Sequence, residues 1–352
     1  MADSVYSIIR PMGLAGLLDR AISLYRQNFI KFIGIIAIPF VPLMLVQTGL
    51  ALFSTTSMFE QLGAYANSSN LFDLFTPSVI GAYAGAILFA ILQFVFVSGL
   101  ATAALTRAVA NNYVGKPVEI LESYKSLNNS WARLLLALLA IAGLIILLLV
   151  WSIVPCIGWF TGPGLASFVT FVVSPLLVPV VVLERKAVFE SLRRAWNLAR
   201  SRFWWLVGVA LVVTLLGQLI VSGPVFLINI LLQSLLSLMP GGPNEQLIIS
   251  AIIQNLVAIS TNLLYLPLQL TIMTVIYFDL RARAEGLDLA LQASTIIEGA
   301  PEAGELPEIT LQSKQPFFSG LDLGRFALLS LAMIVIYILI VGVVMLLGLA
   351  IV

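Results

Sequence analysis

The chain has 352 residues, 60% of them hydrophobic and 10% charged, with a net charge of +1 and no histidine. That balance leaves too little polar surface for a soluble globule of this length and no positive excess to read as a nucleic-acid footprint. The missing histidine excludes imidazole metal sites and the Ser-His and Cys-His nucleophile pairs of hydrolases.

Residues 1–28 are polar or amphipathic and lack the apolar core and small-residue cleavage pattern of a secretory signal. Apolar runs follow at Phe29–Phe53, Val79–Thr106, Leu134–Pro155, Gly162–Leu183, Phe203–Met239, Leu247–Phe278 and Phe326–Val352. A membrane-crossing helix needs about 20 apolar residues for a ~30 Å hydrocarbon core, so each run is long enough to span. Leu247–Phe278 exceeds a straight crossing and must tilt, kink or project. Gly223-Pro224 is expected to break the fifth span and Pro267 to kink the sixth.

The gaps after the first, third and fifth runs hold no Lys or Arg. Every positive charge lies before the first run, at a span end or in the other gaps. Positive charge marks the cytoplasmic side. The chain is therefore expected in the cell (inner) membrane as a multi-pass protein, N-terminus cytoplasmic and C-terminus outside. Cys156, in a short outer loop, has no intramolecular disulfide partner.

Self-comparison aligns Leu18–Phe29 with Leu192–Phe203 without gaps, and Gly34 with Gly208. Both segments carry apolar groups on one helical face and arginines opposite, the pattern of a helix lying in the interface. A weaker third copy runs from Val118 to Leu134. The even spans share Ser98-Gly-Leu, Ser174-Pro-Leu and Leu266-Pro-Leu. The expected fold class is an all-α polytopic transmembrane helix bundle: three two-span repeats with cytoplasmic interfacial helices plus a seventh C-terminal span. Its divisions are an amphipathic segment (1–28), a six-span membrane domain (29–284), an acidic cytoplasmic linker (285–324) and the C-terminal transmembrane helix (325–352).

Candidate site residues gather at the cytoplasmic rim: Arg20, Arg26, Glu184, Glu190, Arg194, Arg200, Tyr277, Asp279, Arg281, Arg283 and Glu285. Asp279–Arg283, Arg281–Glu285 and Glu190–Arg194 are four apart, the spacing of helical ion pairs. Asp279 is expected to take a second arginine, Arg194 or Arg20. Such a ring could bind an anionic headgroup or a protein partner, or simply lock the repeats together. In the sixth span Asn255, Asn262 and Gln269 recur every seven residues. They share a face that reads as interhelical hydrogen bonding or as a polar path. Gly81-Ala-Tyr-Ala-Gly85 is a small-residue face suited to packing in the bundle.

Pro179 with Glu184–Trp196, and Tyr277-Phe-Asp-Leu-Arg-Ala-Arg-Ala-Glu-Gly286, resemble two elements of the glycerophosphoryl diester phosphodiesterase membrane domain family. The resemblance covers about residues 10–290. It implies a membrane module that stands apart from the histidine- and metal-dependent catalytic domain to which family members are often fused. No catalytic residue, metal or cofactor is expected. The function expected is a non-enzymatic membrane module that organises lipid or partner proteins, the alternative being a facilitator for a lipid-like or small amphipathic solute. Its expected partners are membrane lipids and a membrane or cytoplasmic protein.

Overall fold

The structure, a computed structural model, describes residues 12–65, 77–113, 115–127, 130–155, 157–184, 186–236, 242–286 and 319–351. Among them there is no strand. In chain order the helices are α1 (Leu14–Gln27), α2 (Phe29–Tyr65), α3 (Pro77–Gln93), α4 (Thr102–Tyr113), α5 (Ile120–Lys125), α6 (Ser130–Trp151) and α7 (Ile157–Phe168). They continue with α8 (Ser174–Glu184), α9 (Val188–Ser201), α10 (Phe203–Gly217), α11 (Gly223–Leu236), α12 (Pro243–Glu285) and α13 (Gly320–Ile351). Wider π-helical turns join α3 to α4 (Phe94–Ala101), α7 to α8 (Val169–Val173) and α10 to α11 (Gln218–Ser222).

Six stretches of the described residues are long and apolar enough to cross a membrane: Phe29–Leu50, Ala84–Tyr113, Ser130–Trp151, Ile157–Glu184, Phe203–Leu235 and Ile248–Glu285. The chain is an integral, multi-pass membrane protein. One expectation about these spans changes. Gly223-Pro224 does not break the fifth, because Gly223 keeps right-handed helical angles (φ −58°, ψ −56°) and the ladder passes it through a π turn. Pro267 lies inside α12, which runs unbroken through it, with the Thr271 hydroxyl donating to the Pro267 carbonyl at 2.7 Å. Cys156 and most of the acidic linker lie outside the described residues.

The chain divides into two compact units. The first joins Met12–Trp131 to Leu211–Ile276. Here α1 buries Leu17, Ala21, Leu24 and Tyr25 along one stripe and leaves Asp19 and Arg26 exposed. The helix stops at Asn28, whose backbone leaves the helical region (φ −119°, ψ 25°), and α2 resumes at Phe29. Tyrosines tie this unit's backbone together. Tyr25 donates to the Leu264 carbonyl at 2.8 Å, Tyr265 to the Val213 carbonyl at 2.7 Å, and Tyr124 to the Ile35 carbonyl. Val213 lies one π turn before Gln218, where the ladder shifts register and a spare donor is useful. At the expected packing face, a Cβ on Gly81 or Gly85 would meet nothing within 4 Å among the described residues.

Tyr25 and Tyr124 predict an alkaline weakness. Burial pushes both phenols up to about 12 from an ordinary 10. The folded state therefore holds those protons more tightly than the unfolded chain. Their contribution is complete below pH 10 and is lost as pH rises towards 12. Thermal unfolding of the detergent-solubilised protein should fall over that window, and a Tyr25→Phe, Tyr124→Phe variant should show a flatter decline.

The second unit contains Ala132–Ala210 and Tyr277–Val352. Leu176–Leu183 of α8 are buried on every face, as an all-apolar helix must be. Phe168 stacks on Phe203 (4.6 Å between ring centres) and meets Trp196 (5.7 Å) and Phe326 (5.6 Å). Phe326 belongs to α13, which lies against α7. The backbone N–H of Gly164 donates to Ser330 Oγ at 2.7 Å. Only glycine fits there, since a Cβ would stand 2.3 Å from the Phe326 carbonyl oxygen and 2.9 Å from the Ser330 nitrogen. The seventh apolar helix is thus packed into the second unit rather than standing apart from it.

Candidate functional site

The end of α12 explains its sequence residue by residue. Tyr277, Phe278 and Leu280 are fully buried, and Asp279 and Arg281 are 3% and 2% exposed. Asp279 accepts from Arg283 Nε at 2.9 Å, and Glu285 accepts from Arg281 Nε at 3.0 Å. Both predicted pairs of α12 are present. Gly286 then takes a left-handed conformation (φ 62°) and donates its N–H to the Ala282 carbonyl at 3.1 Å, which ends the helix directly after Glu285. That stop fixes where the Glu285 carboxylate points.

From the end of α8, Glu184 accepts from Arg194 Nε (3.0 and 3.3 Å to its two oxygens) and from the Tyr277 hydroxyl at 2.8 Å. Tyr277 in turn accepts from Arg281 Nη1 at 3.2 Å, and Arg194 Nη1 is paired with Glu285 Oε1. The interactions close on themselves: Glu184, Tyr277, Arg281, Glu285, Arg194 and back to Glu184. Among the described residues two carboxylates face two guanidiniums in this ring, and Lys186 Nζ also approaches Glu184 Oε2 at 3.8 Å. Its acids are nearly dry, Glu184 at 6% and Glu285 at 2% side-chain exposure. Burial, the largest influence on Arg194, disfavours its charge, yet the Glu184 and Glu285 carboxylates hold its pKa above the ordinary arginine value.

Two expectations are corrected. Arg194 turns to Glu184 and Glu285, not to Asp279, and the anticipated Glu190–Arg194 pair does not form. Glu190 is exposed. Two desolvated carboxylates offer Arg194 far stronger fields than one bathed in solvent. Arg20 lies in the first unit, where its guanidinium covers the Tyr113 ring at 5.8 Å, and Arg26 is exposed.

A second charged cluster holds the start of α13. Asp322, 1% exposed, pairs with Arg200 Nη2 at 2.9 Å and with Arg325 Nη1 at 3.5 Å. It also accepts from the Ser319 N–H (2.9 Å) and hydroxyl (2.8 Å). Sequence reading placed Arg200 at the rim but missed its acid. Ser319-Gly-Leu-Asp322 carries half of a capping-box signature, which could have marked both the helix start and the buried carboxylate.

The polar face of α12 is only partly what its spacing suggested. Asn255 and Asn262 donate to the carbonyls of Ala251 (2.9 Å) and Ala258 (2.8 Å) on their own helix. The bond between helices is made next door, from Gln254 Nε2 to Asn229 Oδ1 at 3.2 Å. Gln269 is half-buried. Gln254→Leu should therefore cost about 0.6–2 kcal/mol of stability in thermal unfolding, and Asn262→Leu much less. Equal losses from the two would remove the distinction.

No family model, curated protein or solved structure matches the chain.

Proposed function

We propose that this integral membrane protein is a non-enzymatic module that organises membrane lipid, or a partner protein, through the face carrying the charged ring. The carrying observation is that, among the described residues, the carboxylates, guanidiniums and phenol of the ring satisfy one another. The groups that could bind or react, Glu184, Glu285, Arg194, Arg281 and Tyr277, are turned on one another. Groups so arranged make a rigid platform rather than a general acid, base or nucleophile. In this reading the family likeness follows, because the residues that carry it are the ones that build the platform.

Three finer features belong to the same proposal. The charged face is cytoplasmic, so cysteine at Ser126 labels only from inside and cysteine at Asn244 from outside. The helix α13 is a seventh span. The three two-span units are repeats, supported by α1 and α9 breaking at aligned residues, Asn28 and Arg202.

The test is reconstitution into vesicles, with co-purifying lipid and protein identified by mass spectrometry. The module reading expects a reproducible lipid class or partner and no solute flux. Flux that disappears in Asn262→Leu, with the fold intact, would replace it by the facilitator.

A further inference from the structure

Alignment pairs Arg20 with Arg194 and Arg26 with Arg200, and the helices that carry them agree in length and in how they begin. Helices α1 and α9 each have 14 residues and are each entered through an extended residue, Gly13 and Ala187. They bury four aligned positions, Leu17 and Ser191, Ala21 and Ala195, Leu24 and Leu198, Tyr25 and Ala199, while Trp196 is buried where Ile22 is exposed. What differs is the company of the arginines.

In the second unit Arg194 is held by Glu184 and Glu285, and Arg200 by Asp322. In the first, no hydrogen bond or ion pair reaches Arg20 among the described residues. Its guanidinium lies over Tyr113, itself 1% exposed, and its Nε is buried without a partner. Asp19 beside it is exposed, and so are Arg26, Lys31 and Lys116. A desolvated N–H with no acceptor is costly. The site is short of oxygen atoms that would complete the guanidinium fork.

The surroundings suggest what brings them. Ile22, Phe29 and Ile30 are 41%, 40% and 82% exposed around the junction of α1 with the first span. Apolar groups exposed at the start of a membrane helix lie among acyl chains, with basic residues at headgroup level. We propose that Arg20, backed by Tyr113, binds the phosphate of an anionic phospholipid, in the place that carboxylates occupy around Arg194. The assignment rests on the module reading above and names its ligand class.

Native mass spectrometry of delipidated protein, titrated with phosphatidylglycerol, tests this. The unmodified protein and the exposed-charge control Lys125→Gln should take up one saturable lipid per chain. Arg20→Gln should bind it about tenfold more weakly, the loss expected for one charge-assisted bond. Tyr113→Leu, which keeps the charge and removes the ring, should weaken binding severalfold and serves if Arg20→Gln fails to fold. A parallel titration with inorganic phosphate separates the sources, since saturation there at equal strength keeps the phosphate site but makes its ligand soluble. Unchanged lipid binding in both Arg20→Gln and Tyr113→Leu, or equal weakening in Lys125→Gln, overturns the proposal. Solute flux in reconstituted vesicles reports on the module reading separately.

Discussion

Glu184→Gln should be among the most damaging single substitutions in this protein. The change keeps the shape and removes one charge from a ring in which Arg194 and Arg281 face Glu184 and Glu285. Two guanidiniums would then share one carboxylate in a nearly dry setting. Breaking a buried ion pair by removing one partner costs about 3–5 kcal/mol, more than the intact pair contributes, because the remaining charge is left uncompensated. A fall in Tm on the order of 10 °C in mild detergent is expected. Glu190→Gln, at an exposed carboxylate four residues from Arg194, is the matched control and should leave Tm unchanged. Adding Arg281→Met to Glu184→Gln again leaves one guanidinium to one carboxylate in the ring and should recover part of the loss, a non-additivity that distant sites do not show. If the two glutamate variants unfold together, the ring is solvated and contributes little.

Gly164→Val should release α13 from α7. Besides the Ser330 hydroxyl, a side chain would strike the Phe326 carbonyl oxygen and the Ser330 nitrogen, both backbone and unable to rotate aside. Overpacking of this kind costs about 1–3 kcal/mol, and displacement of α13 also breaks the bond from Gly164 to Ser330 Oγ. Ser167 Oγ lies 3.0 Å from Met333 Sδ, so a cysteine at each position reports on the contact. In a Cys156→Ser background that pair should form a disulfide readily, and poorly once Gly164→Val is added. Efficient cross-linking in both would mean that α7 and α13 part easily to admit a side chain.

Much of this molecule is legible in its sequence because the bilayer imposes so few solutions. Backbone groups in hydrocarbon must bond within their own segment, so an apolar run such as Ser130–Trp151 can only be a helix. Helical spacing was equally direct for Asp279–Arg283 and Arg281–Glu285. It failed for Glu190–Arg194, because spacing knows nothing of the carboxylates that other helices bring to the same arginine. Glu184 is 101 residues before Glu285, and no local pattern connects them. Gly223-Pro224 misled for a different reason. Proline interrupts an α ladder, but a π turn just before it lets the helix continue, and propensity alone does not register that turn. Asn255 and Asn262 share a face as their seven-residue spacing requires. Which partner an amide chooses is decided by the distance to the next helix, so the contact fell to Gln254.

The two units are threaded through each other in sequence. The first needs Met12–Trp131 and Leu211–Ile276, while the second needs Ala132–Ala210 and everything from Tyr277 onward. Neither can therefore be made from one continuous stretch of message. As the chain emerges from the ribosome, α1 to α5 must wait through the synthesis of α6 to α9 before Leu211–Ile276 arrives to complete their unit. Glu184 and Arg194 likewise meet each other well before Glu285 and Arg281 exist to balance them. Until then that end of the nascent chain holds unfinished polar contacts, the kind of exposed intermediate that insertion chaperones attend to. Neither unit is whole until the chain has reached Ile276, so a ribosome stalled between α9 and α12 yields no half-protein to salvage.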